Sequence, residues 1–255
     1  MHTSNVGARV ARGICIVTLA TDIYRTNLTA WHAMADPAEL DSGRAWYRDA
    51  REFVATLSAR FPQYSAAQCG AATAALSPNC AWTDNKAAAA IVVASHAAGI
   101  PAATLSLAGV YPVNVAKAYR ILTGAPIPAV CNGTRIGARG GSVKCNGVSH
   151  GCRAPLHGPK VSEFYRTIMG DTNGRTMDVW ATRAADVSPA DVGTMAPDDP
   201  RFDGIPGARL TELQLAYSDV ADIVGESPAV LQAIVWVTIR NRWTRRDGAR
   251  HGSRD

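Results

Sequence analysis

The sequence is short of charge and of aromatic rings. Charged residues make up 18% of its 255 residues and aromatics 7%, against 47% hydrophobic residues. That balance excludes a largely disordered chain, a collagen and a coiled coil. There is no internal repeat and no stretch of strand-like alternation, so solenoid and propeller architectures are excluded too. Six cysteines stand at Cys15, Cys69, Cys80, Cys131, Cys145 and Cys152, without a C-x-x-C pair. The irregular spacing argues against a disulfide framework and for reduced thiols in a cytoplasmic compartment. A secreted disulfide protein is the alternative, and it would show no free thiols on titration. No long uninterrupted apolar run is present. Gly13 to Ala20, behind Arg9 and Arg12, imitates a signal peptide but continues into helix-like sequence. Ala87 to Ala116 carries no Asp, Glu, Lys or Arg, yet His96 and Pro101 interrupt it, and it reads as a weak membrane candidate and a good buried-helix one.

The most informative absence is acidic. From Asn85 to Ser162 there is no Asp or Glu, while Lys86, Lys117, Arg120, Arg135, Arg139, Lys144, Arg153 and Lys160 all fall there. The stretch from Val237 to the end adds six arginines against two aspartates, and the whole chain carries a formal charge of +5. A basic block beside a more acidic one is the footprint of a polyanion partner; a solvated surface is the plainer reading.

What is present is helical grammar, in a chain long enough for one large or two small domains. The spacing predicts helices over 8–35, 45–61, 65–76, 84–96, 113–122, 161–169, 178–185, 209–224 and 227–240, with a short one after Pro101. Trp46 and Trp236 fall on apolar helical faces and read as core. Residues 124–159 hold eight glycines and read as a long loop or insertion, and 187–208 as coil. The expected class is all-α. The expected segments are 1–65, N-terminal helices packing with the C-terminal lobe; 66–177, a helical lobe containing the 124–159 insert; and 178–255, a C-terminal helical lobe with a basic tail.

Gly158-Pro159-Lys160 is the sharpest local feature. Glycine as cap and proline at the first helical position start a helix whose backbone N–H groups are free to hold a phosphate. A lysine there is a candidate nucleophile, since the positive helix end disfavours a second positive charge. Asp178 starts a helix of its own. Taken without any further pattern, the two read as a surface lysine and an N-cap aspartate.

The spacing between them adds a pattern. Lys160 and Asp178 are eighteen residues apart, and Asp178 is followed by Val179-Trp180-Ala181-Thr182-Arg183. Upstream, Leu76-Ser77-Pro78-Asn79 precedes Asn85-Lys86-Ala87, and Lys117-Ala118 lies in a helix running to Ile121-Leu122. Over about residues 66–186 these motifs, in this order, resemble the helix-hairpin-helix DNA glycosylase superfamily, of endonuclease III type. That family carries L-P-G-V-G-x-K, then V-D-x-x-x-x-R at the same lysine-to-aspartate separation, with L-S-x-Q, N-K-A and K-A-x-x-I segments upstream. The flanks 43–50 and 232–240 resemble actinobacteriophage proteins. Two departures stand out. Leu156 replaces a hairpin glycine, and no cysteine follows Cys152 to build the family's four-cysteine iron–sulfur site.

The resemblance implies a two-lobed fold with a cleft between the lobes, a monomer, and double-stranded DNA as partner without a membrane. It implies a DNA glycosylase, with or without lyase activity, that flips a damaged or modified base. Lys160 and Asp178 take the catalytic positions. Asn79, Gly158, Lys86 and Arg183 take DNA-binding positions, Asn79 at the wedge. Trp82, Trp180 and Tyr165 are base-pocket candidates, with core packing as the alternative. Two other readings remain: a phage enzyme of this fold processing hypermodified pyrimidines, and a DNA-binding protein of this fold without chemistry. No cofactor is expected. Cys131, Cys145 and Cys152 with His150 or His157 have zinc-ligand chemistry but lack the usual pair spacing.

Overall fold

A computed structural model describes residues 21–125, 127, 134–136, 142–145, 148–150, 156, 158–194 and 207–251. Helices dominate. They are α1 (21–34), α2 (Pro37–Arg60), α3 (Ala66–Leu76), α4 (Trp82–Ala97), α5 (Pro112–Leu122), α6 (Pro159–Ile168), α7 (Val179–Asp186), α8 (Gly207–Val224) and α9 (Pro228–His251). Short 3-10 turns cover Ala102–Thr104 and Val192–Thr194.

The described residues agree with the all-α expectation apart from one small sheet. Within the glycine-rich insert, β1 (Thr134–Ile136), β2 (Ser142–Cys145) and β3 (Val148–His150) form an antiparallel sheet in the order β1-β2-β3. Arg135 pairs with Val143, and Lys144 with Ser149. Strands of three or four residues are too short to print an alternating pattern in a sequence. The start of α2 also differs from the expected 45. Pro37 occupies the first turn, where its missing N–H costs nothing. Asp36 Oδ1 accepts from Glu39 N at 2.9 Å and Asp36 N donates to Glu39 Oε2 at 3.1 Å, a reciprocal cap.

The chain divides into two compact units, one of 1–46 with 177–255 and one of 47–176. The first division therefore falls within α2, not at residue 65. The later half of α2 belongs with α3 and α4, because Phe53 meets the Trp82 ring edge-on at 6.0 Å and Val54 lies beside Gly70.

In the unit 47–176, α3 is the central helix. Its AAQCGAATAAL sequence is small and apolar on every face, and it is buried from Cys69 to Leu76. Burial pushes the Cys69 thiol up to about 11, which leaves it a small hydrophobe. Helices α4, α5 and α6 pack around α3. Ser65 and Gln68 form a capping box at its start, and Gln68 Nε2 also donates to the carbonyls of Ile121 and Leu122, at the end of α5. Met169, at the end of α6, lies against Gly70. Helices α5 and α6 thus finish near the start of α3, and begin at its far end.

His96, near the end of α4, sits in a hydrogen-bonded chain. Tyr64 OH lies 2.6 Å from Nδ1 and Thr123 Oγ1 3.0 Å from Nε2, with the Tyr119 ring edge-on at 5.0 Å. Thr123 Oγ1 donates to Tyr119 O, so the chain runs from the tyrosine hydroxyl through a neutral imidazole to a backbone carbonyl. Burial lowers the proton affinity of His96 below the ordinary value of 6.5. The unfolded chain then binds that proton more readily, so the stabilisation is present above pH 6.5 and is lost as the pH falls. Thermal unfolding between pH 7.5 and 5 should show the melting temperature dropping by a few degrees, and His96→Gln should flatten that slope.

The other unit is built on α1, α7, α8 and α9 around Leu28, Trp31, Tyr217, Leu231 and Val235. Its polar satisfaction centres on α7. Asn27 Nδ2 donates to Ala185 O at 2.7 Å, Trp31 Nε1 to Val187 O at 2.8 Å and Tyr217 OH to Ala181 O at 2.9 Å. Arg209 pairs with Asp186 beside them. A short helix whose end is met by two side chains from α1, and whose first turn is met by one from α8, is fixed in place.

Among the described residues no single helix is long and apolar enough to cross a membrane. Helices α8 and α9 pass that test only together, across a bend of 96°, and their apolar side chains form core.

Candidate functional site

Three helices of the unit 47–176 begin at the end where α3 finishes. Two contacts establish this. Asn79 Nδ2, just before α4, donates to Tyr111 OH, just before α5, at 3.1 Å. Trp82, in the first turn of α4, meets Phe164 of α6 edge-on at 6.1 Å. Each helix start leaves backbone N–H groups without helical partners and carries a partial positive charge. Lys86 stands one turn into α4 with its Nζ 5.6 Å from the Trp82 ring. Lys160 and Phe164 are i,i+4 neighbours on one face of α6, so Lys160 stands one turn from the Trp82–Phe164 contact.

Gly158 makes the entry to α6 possible. Its φ of 95° and ψ of 149° are open to glycine alone, and a side chain there would meet nothing within 4 Å. The requirement is conformational, and the approach to its backbone is open. Leu156, at the place of a hairpin glycine in the resembling family, is 1% exposed. It anchors the loop by apolar burial where the family pattern uses a bare backbone. Lys160 makes no hydrogen bond or ion pair with the described residues.

Asn79 is the one described non-glycine residue with a positive φ, 57°. Asparagine is among the few residue types that tolerate this conformation, and such an outlier at an exposed turn is a reason to ask for a function. Its partner Tyr111 is 52% exposed. The neighbouring Cys80 thiol is pushed up, chiefly by burial and then by Asp84. Asp84, exposed in the first turn of α4, shares this end, whereas Glu163 is buried and held by Arg166 at 2.8 Å and Arg175 N at 3.2 Å.

Asp178 belongs to the other unit and caps α7. Its Oδ1 accepts from Trp180 N at 3.0 Å and Ala181 N at 2.9 Å, and its Oδ2 accepts from Trp236 Nε1 at 3.1 Å. The plainer reading of Asp178, an N-cap, is realised in full.

A family model matches residues 15–138 and 148–243. The chain belongs to DUF7178, a family of unknown function. No curated protein and no solved structure matches it. The DUF7178 match omits 139–147, inside the glycine-rich insert, and runs through both units to Trp243. Lys160 and Asp178 thus both lie in the part that defines the family.

Arg183 corrects the sequence reading. It is 6% exposed, with its guanidinium carbon 4.8 Å from the Trp180 ring and 5.2 Å from the Trp243 ring. A planar cation packed on two indoles that meet each other edge-on is core structure, and burial removes it from phosphate contact. Arg183→Met should lower stability by about 2 kcal/mol and leave duplex affinity unchanged, as thermal unfolding and fluorescence anisotropy would show together.

Two base-pocket candidates are engaged in packing. Trp82 lies between Phe53 and Phe164, and Trp180 against Trp243 at 5.5 Å. Tyr165 is half-buried, and that burial pushes its phenol up. The sequence gives Trp236 no role beyond core, and no spacing rule ties it to Asp178 fifty-eight residues earlier. Tyr111 carries no signal of its own either. Among the described residues no cluster of metal-ligating side chains occurs. Cys131, Cys152 and His157 lie outside the described residues, and only the strand backbone is described at Cys145 and His150.

Proposed function

We propose that this chain binds duplex DNA and acts as a DNA glycosylase with Lys160 as nucleophile. The observation that supports this best is the position of Lys160. It is a lysine without an ion pair among the described residues, behind an open glycine turn. It stands at the end of its unit where three helix starts and Lys86 face a common side. The acid-free run from Asn85 to Ser162 supplies the phosphate-facing charge.

In this reading the Lys160 amine gives up a proton to water and attacks the sugar C1′. The C1′–N bond to the base breaks, its electron pair leaves with the base, and water protonates the base. The nitrogen then loses its two protons, one to water and one by way of water to O4′, as the sugar C1′–O4′ bond opens and a C1′=N Schiff base forms. Asp178 stabilises the positive charge that develops on the sugar. Asn79 fills the space of the extruded nucleotide, and Tyr165 lines the base pocket.

Two observations favour a second reading, a DNA-binding protein without chemistry. Asp178 already spends three hydrogen bonds on capping and on Trp236, and the hairpin glycine position is filled by buried Leu156. A phage enzyme processing hypermodified pyrimidines would use the same lysine.

Duplex binding is tested by anisotropy across a salt series. Affinity should fall steeply with salt, and Lys86→Gln should reduce the slope of log K against log salt by about 1. A slope near zero would remove both readings.

A further inference from the structure

Helix α4 is apolar on two sides. Asn85, Ala88, Ala89, Val92, Val93 and Ser95 are buried on one, where the helix packs on α3 and α5. The opposite side carries Ala87, Ile91, Ala94 and Ala98, at steps of four, three and four residues, which line a single seam of a helix. That seam is open. Ala87 and Ala98 are exposed, Ala94 is half-buried and Ile91 is 45% exposed. Gly99, with a φ of 71°, then turns the chain back, and Ile100 N donates to Ser95 O at 2.9 Å. The turn sets Ile100, 43% exposed, beside the last turn of α4. No Asp, Glu, Lys or Arg occurs from Ala87 to Ala116. The exposed sides of α2 and α8, by contrast, carry Arg48, Glu52 and Asp222. A helix face in water is ordinarily charged, and an apolar one is left for a partner.

We infer that this face of α4 is a dimerisation surface, and that it is covered by the same face of a second copy of this chain in antiparallel register. Two properties select a copy of the chain over other occupants. The first is charge. A two-fold contact sets a face against itself, so a charged face meets its own charge. This face has none to meet, and it offers a nucleic acid no cation. The second is size. With the two-fold axis level with the Val92–Val93 bond, Ile91 lies opposite the partner's Ala94 and Ala87 opposite the partner's Ala98. Large meets small on both sides of the axis, and the alanines let the two helices approach to about 8 Å. The inference is independent of the DNA reading, and it departs from the monomer that the resemblance implies.

Sedimentation velocity of the full chain over a concentration series tests it. Wild type is expected to pass from monomer to dimer as concentration rises, and Ile91→Glu to weaken that association by about 100-fold or more. Ile91 is exposed, so the variant's circular dichroism should match that of wild type. Two more substitutions read the register. Ala87→Lys and Ala98→Glu should each weaken the dimer, and the double variant should restore it, because antiparallel pairing sets the new cation opposite the partner's new anion. Restoration also shows that the single variants were folded. A wild type that stays monomeric up to its solubility limit overturns the inference, whether the face is bare or covered by another part of the chain. A dimer unaffected by Ile91→Glu overturns it too, and moves the contact to another face. A dimer weakened by each single substitution and not restored by the pair overturns the antiparallel register.

Discussion

Lys160→Ala is expected to abolish covalent trapping on abasic duplex DNA and to lower any base-excision rate by about 10^3-fold or more. Duplex affinity should fall only slightly. The contrast follows from what the residue does in each step. In binding, Lys160 is one positive charge among several, beside Lys86, Lys117 and the backbone N–H groups at the starts of α4, α5 and α6. In the reaction, no other side chain at that end offers a primary amine on the face of α6 behind Gly158. The substitution should leave the fold intact, since Lys160 makes no hydrogen bond or ion pair with the described residues and alanine is a good residue in a first helical turn. Borohydride trapping of wild type and Lys160→Ala on oligonucleotides with an abasic site, uracil, 5-hydroxymethyluracil or an oxidised base measures it directly. An adduct that persists in the variant refutes the lysine assignment. Absence of an adduct in both, with salt-dependent binding retained, selects the protein that binds without chemistry.

Gly43→Ala should destabilise the chain by about 3 kcal/mol, lowering the melting temperature by roughly 10 °C. The sign runs against helix propensity, which favours alanine over glycine by about 1 kcal/mol in a helix interior. Packing decides. A Cβ on Gly43 would come 2.5 Å from Ile234 Cα and 2.7 Å from its backbone nitrogen. Backbone cannot step aside as a side-chain tip can, so α2 and α9 would have to separate. Because Trp236 lies two residues along α9, the same variant should also loosen the indole held over Asp178. Differential scanning calorimetry measures the first effect; a melting temperature within a degree of wild type would refute the close approach.

Several elements are plain in the sequence for local reasons. Pro159 after Gly158 marks the start of α6, and the small apolar run of 66–76 marks a helix buried on all sides, because both depend on neighbours within a turn or two. Asp178 as a helix cap is legible from its place before Val179 alone. The start of α2 at Pro37 is less so. The Asp36–Glu39 box that permits it looks, in sequence, like a proline ending α1. The strands of the insert are too short for periodicity to speak. Arg183 shows the opposite failure. A motif position suggested phosphate, while Trp243, sixty residues away, determined that the guanidinium is packed and buried.

By itself, the sequence determined a mostly helical chain, an acid-free basic stretch, the Gly-Pro-Lys start of α6 and the cap at Asp178. These are properties of composition and of contacts a few residues apart. Only the tertiary structure decided which helix starts share an end, through Asn79 with Tyr111 and Trp82 with Phe164. It alone buried Arg183 and placed the Trp236 indole on Asp178. Those outcomes depend on side chains brought together from distant points in the chain, where packing and hydrogen-bond satisfaction, not local propensity, choose the neighbour.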